Sequence, residues 1–264
     1  MAYPQLSGRM VRLNGANQNL SDYYPAPLSW NALFLRMSAN PERFPVGTEY
    51  LMDFVTYGGC LLRVYTASGQ HGWWLQTTTG SATISETITA GTADKGPIHF
   101  VLAWDGSLVA VYVGNRRVYI GSFSGVFSGP TPYMSVGSRY EGPTTQPFQG
   151  DMGHIILHNA IPTPYAGLPE NIYDGELTAL EFLRVHGLTA ADVLCLYDWR
   201  ADDGTNYGYG GSGYDLSPVN FPTFLAGDFH YGWVDETTPT IEYPRATVLA
   251  ARLRATRLRA RVKQ

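Results

Sequence analysis

The stretch from Ile98 to Pro162 constrains the fold more than any other. Residues His99 to Trp104 alternate apolar and polar side chains and break at Asp105-Gly106. The pattern resumes over Leu108 to Val113, breaks at Gly114-Asn115, and resumes again through Val118-Tyr119-Ile120. Period-two runs cut by Asp-Gly and Gly-Asn are the strongest short-range hairpin signal, because these residues reach the positive φ that tight turns need. The stretch predicts a three-strand antiparallel meander.

The same residues carry a resemblance. The order His-Phe-Val-Leu-Ala-Trp-Asp-Gly, Tyr-Val-Gly-Asn, Val-Tyr-Ile-Gly, Tyr-Met-Ser-Val-Gly and Phe-x-Gly-x-Met-x-x-Ile-x-Leu-x-Asn-x-Ile-Pro resembles the laminin-G-like branch of the concanavalin A-like lectin/glucanase superfamily. The matching positions are Trp104, Asp105, Gly106, Tyr112, Gly114, Gly137, Phe148, Gly150, Ile155, Leu157 and Asn159. Most of them define the fold and not a site. The resemblance implies an all-β, two-sheet antiparallel jelly-roll β-sandwich with one or two short helices.

Composition agrees. Charged residues make up only 15% of 264, aromatics 13%, and there are 29 Gly and 17 Pro, a balance that suits a turn-rich sandwich. A sandwich of this length can be one domain. The start, Met1-Ala2-Tyr3-Pro4-Gln5, lacks the basic and apolar segments of a secretory signal, and no run is long enough to span a bilayer. Cys60 and Cys195 each sit in an apolar, strand-like run and read as buried free thiols.

Around the meander, strands are expected over Arg9–Gly15, Leu28–Met37, Tyr50–Val55, Cys60–Tyr65, Gly72–Thr77, Ser81–Gly91, Gly153–His158 and Val193–Trp199. Asp174 to Gly187 reads as a helix with an acidic first turn and a glycine stop, and Thr189 to Asp192 can cap one further turn. The segment Asp202-Asp203-Gly204-Thr205 through Asp215-Leu216-Ser217 is similar to the family's Asp-x-x-Gly-Thr...Asp-Leu-Ser and is expected to close the same sandwich.

Net charge hides an asymmetry. Seven basic residues (Arg245, Arg252, Arg254, Arg257, Arg259, Arg261 and Lys263) fall in the last 20 positions with no acid. The body keeps 11 basic against 22 acidic side chains, a net near −11. The division expected is therefore a sandwich over 1–243 and a basic anchoring arm over 244–264. As a helix, the arm aligns Val248, Ala251, Ala255, Leu258 and Val262; as an extended segment, it would cross an acidic groove of a partner. Nucleic acid is disfavoured, since the acidic body repels a polyanion and the arm lacks interleaved aromatics.

Candidate binding residues follow from aromatic placement. Trp73 and Trp74 are adjacent, so in a strand they face opposite sides, and one of them is either exposed or covered by a loop or a subunit contact. An exposed ring would suit stacking on the C–H face of a sugar. The Gly/Tyr run with Tyr207, Tyr209 and Tyr214 reads either as a recognition loop or as a flexible surface connection. Some relatives of the family bind calcium through Asp and carbonyl oxygens, and Asp202, Asp203 and Asp215 are the corresponding candidate ligands; otherwise no cofactor is expected.

Catalytic groups are absent from the expected places. The superfamily's laminarinase-type hydrolases carry Glu-x-Asp-x-(x)-Glu on one strand, setting two carboxylates across a glycosidic bond, and no such run occurs here. Glu176 and Glu181 fall on the expected helix. His154 and His158 share a strand face about 13 Å apart, too far for one metal ion, and read as interface or surface histidines.

These readings converge on a non-enzymatic bacteriophage virion structural protein: a capsid decoration, head fibre or tail component assembled in the host cytoplasm. It would be a homo-oligomer displaying a lectin-like module and docking on other virion proteins through its arm, with no membrane association. The alternative is a carbohydrate-binding adhesin or module that meets a surface glycan through exposed Trp and Tyr.

Overall fold

A computed structural model describes residues 6–24, 26–41, 47–67, 70–87, 98–172, 177, 179–189, 193, 195–198, 217–220 and 223–229. The chain divides by its contacts into Met1–Trp233 and Val234–Gln264, and every described residue belongs to the first unit. The expected boundary at 243/244 and the seven basic residues of the arm lie outside the described residues.

Two antiparallel sheets form a jelly-roll sandwich. The described strands are β1 (Leu6–Asn14), β2 (Asn19–Tyr23), β3 (Leu28–Trp30), β4 (Leu33–Pro41), β5 (Thr48–Val55), β6 (Leu61–Ala67), β7 (Gln70–Gln76), β8 (Ser81–Thr87) and β9 (Ile98–Trp104). They continue as β10 (Leu108–Val113), β11 (Arg116–Ser122), β12 (Phe127–Gly129), β13 (Tyr133–Val136), β14 (Gln149–His158), β15 (Cys195–Asp198), β16 (Ser217–Val219) and β17 (Thr223–Phe229). Of these, β3 and β12 form a separate two-stranded pair. One sheet has eight strands in the order β11-β10-β9-β4-β14-β1-β17, with β15 beside β14; the other has seven, in the order β16-β2-β13-β5-β6-β7-β8. Strand β14 is long enough to share its far edge, with β1 opposite Gln149–Met152 and β15 opposite His154–Leu157.

The meander forms at the turns read from the sequence. Gly106 (φ +95°) and Gly114 (φ +62°) both take positive φ. Asp105 Oδ1 accepts the backbone N–H of Ser107 (2.8 Å) and Leu108 (2.7 Å). Slight burial raises the Asp105 pKa, but the hydrogen bonds from Leu108 and Ser107 outweigh it and hold the carboxyl below its ordinary value.

The core lies between the sheets. Leu33, Leu35 and Met37 of β4, Phe100, Leu102 and Trp104 of β9 and Val109 and Val111 of β10 meet Met52, Phe54, Leu62, Val64, Trp73 and Leu75 from the other sheet. The alternation in β9 does not separate core from solvent, however. Phe34, Val101, Ala103, Ala110, Tyr112 and Ile156 point the other way into a second apolar cluster. That cluster is closed by Tyr165, Leu168, Ile172, Phe182, Leu183 and Val193, so the eight-stranded sheet is covered on both faces. This corrects the apolar–polar alternation read for His99 to Trp104: Phe100 to Trp104 is continuously apolar, as strands buried on two sides are.

Two expected elements are corrected. Leu28–Met37 is not one strand: it breaks at Asn31-Ala32, and β3 leaves the sandwich edge to pair with β12. The reason is aromatic: Trp30 stacks on Phe127 and Phe54 (centroids 6.1 and 6.3 Å), which draws β3 away from the β4 line. Within the described residues the expected helix is α1, Ala179–Val185, with Leu177 in a bend before it and His186-Gly187 in a turn after it. It does end at the expected glycine, with Gly187 at φ +68°. Residues 173–176 lie outside the described residues, as do 190–192, where a further turn was expected.

Candidate functional site

The outer face of the seven-stranded sheet gathers aromatic and polar side chains in rows. Because Met52, Phe54, Leu62, Val64, Trp73 and Leu75 face the core, their neighbours along each strand face out, except Leu51, which the bulge between Tyr50 and Met52 turns into the core. Register places Ser21, Ser135, Asp53, Arg63 and Trp74 side by side across five strands. The next row holds Tyr23, Tyr133, Val55, Leu61 and Gln76. Tyr23 packs on Tyr133 with ring centroids 4.6 Å apart and stays 54% exposed.

Arg63 is the centre of this face. Its guanidinium carbon lies 5.0 Å from the centroid of Trp74 and 5.7 Å from that of Tyr50. Its Nε donates to Asp53 Oδ1 at 2.9 Å, and Asp53 Oδ2 accepts the backbone N–H of Tyr140 at 3.0 Å. Burial raises the Asp53 pKa, opposed by the charge of Arg63 and the hydrogen bond from Tyr140. Both Asp53 oxygens are therefore occupied, and the pair holds the rings at a set spacing.

Backbone shape completes the platform. A Cβ on Gly72 would stand 2.2 Å from the ring of Tyr65, directly across the β6–β7 pair, so Gly72 is what lets that ring lie on the sheet. Tyr65 is half-buried, and its hydroxyl pKa is raised by burial and by neighbouring Tyr50. The segment after β13 folds back over this edge: Tyr50 N–H donates to the carbonyl of Gln146 (3.0 Å) and Arg139 N–H to that of Thr145 (3.1 Å). Tyr140 remains exposed at its tip, beside the Arg139–Glu141 ion pair (3.2 Å).

A second polar cluster is buried on the outer face of the other sheet, beneath α1. Arg36 Nη1 lies 3.0 Å from His154 Nε2, and Ser38 Oγ lies 2.9 Å from His154 Nδ1. Arginine only donates, so Nε2 is the acceptor and Nδ1 carries the proton that it donates to Ser38. This Ser–His contact thus runs in the wrong direction for the histidine to activate the hydroxyl. His99 meets His154 edge to face, centroids 5.9 Å apart, and Arg36 Nη2 donates to the Leu177 carbonyl at 2.7 Å.

The structure sorts the residues singled out from sequence. Trp73 is fully buried in the core against Phe100, which corrects its candidacy as a sugar platform: a ring with no accessible face cannot stack on a ligand. Trp74 is half-buried on the outer face, covered on one side by Arg63. His154 and His158 do share a face but are buried, 2% and 7% exposed, and are not surface histidines; the segment that closes the second cluster covers them. Cys60 is buried as a free thiol. Tyr207, Tyr209, Tyr214, Asp202, Asp203 and Asp215 lie outside the described residues. Among the described residues, no group of three or more His, Cys, Asp or Glu is placed to hold a metal ion, and no helix is long and apolar enough to cross a membrane.

Tyr50, Asp53, Arg63, Tyr65 and Tyr140 were not singled out from sequence. A signal existed for two of them: Arg63 and Tyr65 alternate with the core residues Leu62 and Val64. Their meeting with Trp74 depends on strand register, which alternation alone does not supply.

No protein-family model matches the sequence, and no curated protein is significantly similar to it. Solved structures are similar in fold. A putative carbohydrate-binding protein from Bacteroides ovatus superimposes with a TM-score of 0.55 at 13% identity, over 86% of this chain and 62% of that one. A heptameric SAP-like pentraxin from Limulus polyphemus gives 0.49 at 12% identity, over 86% and 98%. Tailspike protein 2 of the Escherichia coli O157:H7 bacteriophage CAB120 gives 0.46 at 12% identity, over 76% of this chain and 28% of that one. The chain has the concanavalin A-like jelly-roll fold.

Proposed function

We propose that this chain is a non-enzymatic, lectin-like module that binds carbohydrate on the outer face of its seven-stranded sheet. The observation that carries the reading is the Arg63 contact that fixes the half-buried Trp74 ring on this face, backed by the buried Tyr50 and flanked by the exposed rings of Tyr23 and Tyr140. Sugar rings present one apolar C–H face and a rim of hydroxyls, and such a surface answers both. The B. ovatus protein of the same fold is a putative carbohydrate-binding protein, which agrees with this reading. A catalytic role is disfavoured by the occupied oxygens of Asp53 and by the proton direction at His154. No cofactor is required, although Asp202, Asp203 and Asp215 stay open as calcium ligands. A glycan array with wild type and Trp74→Ala tests the reading. Selective glycan binding lost in the variant is expected; no glycan bound, or equal binding by a folded variant, would overturn it.

The finer reading is that the module is displayed on a bacteriophage virion. It is favoured by the charge contrast between a body of net charge near −11 and an arm with seven basic residues and no acid. In this reading the arm docks on an acidic surface of another virion protein, as an anchor and not a catalytic part. Co-sedimentation of the full chain with phage particles, set against a chain ending at Tyr243, tests it. Loss of co-sedimentation on truncation is expected, and equal behaviour of the two chains refutes the anchor.

A further inference from the structure

The free edge of the eight-stranded sheet is half protected and half open. At the start of β11, Arg116 bridges to Asn171, and Arg117 N–H donates to the Glu170 carbonyl at 2.8 Å, so a neighbouring segment covers the edge there. A bulge follows: Val111 pairs with Tyr119 and Tyr112 with Arg117, so Val118 of β11 is the extra residue. Charges, bulges and covering segments are the usual means of blunting an edge strand. From Tyr119 to Ser122 none is present: no strand pairs with this edge among the described residues, and Tyr119, Ile120 and Ser122 are exposed. Ile120 is 43% exposed and Leu108, diagonal to it on β10, is 36% exposed.

The ladder shows which groups point outward. Ser122 lies opposite Leu108, and Phe123 N–H donates to the Ser107 carbonyl at 2.8 Å. This is the pattern of a non-hydrogen-bonded pair, so Ser122, and two residues earlier Ile120, direct their own N–H and C=O away from β10.

We propose that this open edge pairs with the same edge of a second copy of the chain, antiparallel about a two-fold axis through Ile120. The segment is self-complementary in that register. Ile120 meets Ile120 of the partner subunit through the outward N–H and C=O groups of both. Tyr119 faces Gly121 of the partner subunit; since each Tyr119 ring lies over the Gly121 of its own chain, the two rings meet across the axis. Val118 faces Ser122 of the partner subunit. Each Arg117 is about 20 Å from its symmetry mate at strand rise, beyond a Debye length of about 8 Å, so the pairing brings no like charges together. Such a short ladder buries much less than the roughly 1,600 Å² of a standard interface, which makes the dimer weak and concentration-dependent. The surface is on the other sheet from the candidate glycan face, so the two readings stand or fall separately.

Sedimentation velocity of the full chain from about 1 to 500 μM is the test, with Ile120→Lys and Ile120→Glu, exposed substitutions that place like charges on the axis. Wild type is expected to shift toward dimer with concentration, each variant alone to weaken dimerisation at least about tenfold, and an equimolar mixture of the two to restore it as a heterodimer. A wild type monomeric throughout, or variants that dimerise like wild type, would overturn the proposal, as would a mixture no better than its parts.

Discussion

Arg63 and Asp53 sit on neighbouring strands of the seven-stranded sheet, joined Nε to Oδ1 at 2.9 Å, with side chains 5% and 0% exposed. A buried ion pair contributes little net stability when intact, yet removing one partner strands the other charge in a poor solvent. Asp53→Leu is therefore expected to lower unfolding free energy by about 3–5 kcal/mol, and Asp53→Leu/Arg63→Met to recover most of the loss. Chemical denaturation of the four members of this cycle checks it. The double variant should nonetheless bind glycan poorly, because Trp74 and Tyr50 lose the group between them.

Trp73 and Trp74 differ in what they support. Trp73→Ala empties a fully buried site and should cost roughly 3–5 kcal/mol. Trp74→Ala removes a half-buried ring and one cation–π contact, at a cost of about 1–2 kcal/mol. Melting curves of the two, read beside the glycan array, separate a folding role from a binding role.

His71 lies in the core against Phe100 (centroids 4.9 Å), and burial pushes its pKa down from 6.5 to about 3. The folded state thus resists a proton that the unfolded state accepts. The sign follows: stability is full above about pH 6.5 and falls by about 1.4 kcal/mol per pH unit from there toward pH 3. The raised pKa of Asp53 acts in the opposite sense, since its folded form gains a proton more readily than the unfolded chain. His71→Leu should make the acid decline shallower by one proton equivalent, measured as unfolding free energy at pH 7, 6 and 5. An unchanged slope would mean that another group drives the loss.

Two glycines isolate steric cost from backbone cost. Gly59 (φ +82°) has open space where a Cβ would stand, whereas at Gly106 (φ +95°) the Cβ would lie 2.5 Å from the carbonyl oxygen of Asn31. Gly59→Ala should cost about 1 kcal/mol and Gly106→Ala clearly more, because a backbone oxygen cannot swing aside. Thermal melts of both variants provide the comparison.

The meander, its turns at Gly106 and Gly114 and the helix stop at Gly187 were legible from residue order, since a positive φ and a two-residue period are local properties of the chain. The jelly-roll class was implied by the resemblance of Ile98 to Pro162 to laminin-G-like domains. Adjacency at Trp73-Trp74 likewise guaranteed opposite faces. Which indole enters the core was decided only in three dimensions, where Val64 lies opposite Trp73 and Arg63 opposite Trp74, with Val64 packed in the core and Arg63 on the outer face. The histidines of β14 show the same limit. Their shared face follows from a spacing of four, but their burial comes from Tyr165, Phe182 and neighbours that arrive later in the chain to cover the sheet. Local sequence determines backbone conformation and side-chain parity; which parity meets water depends on what packs against each face, a contact between residues distant in sequence.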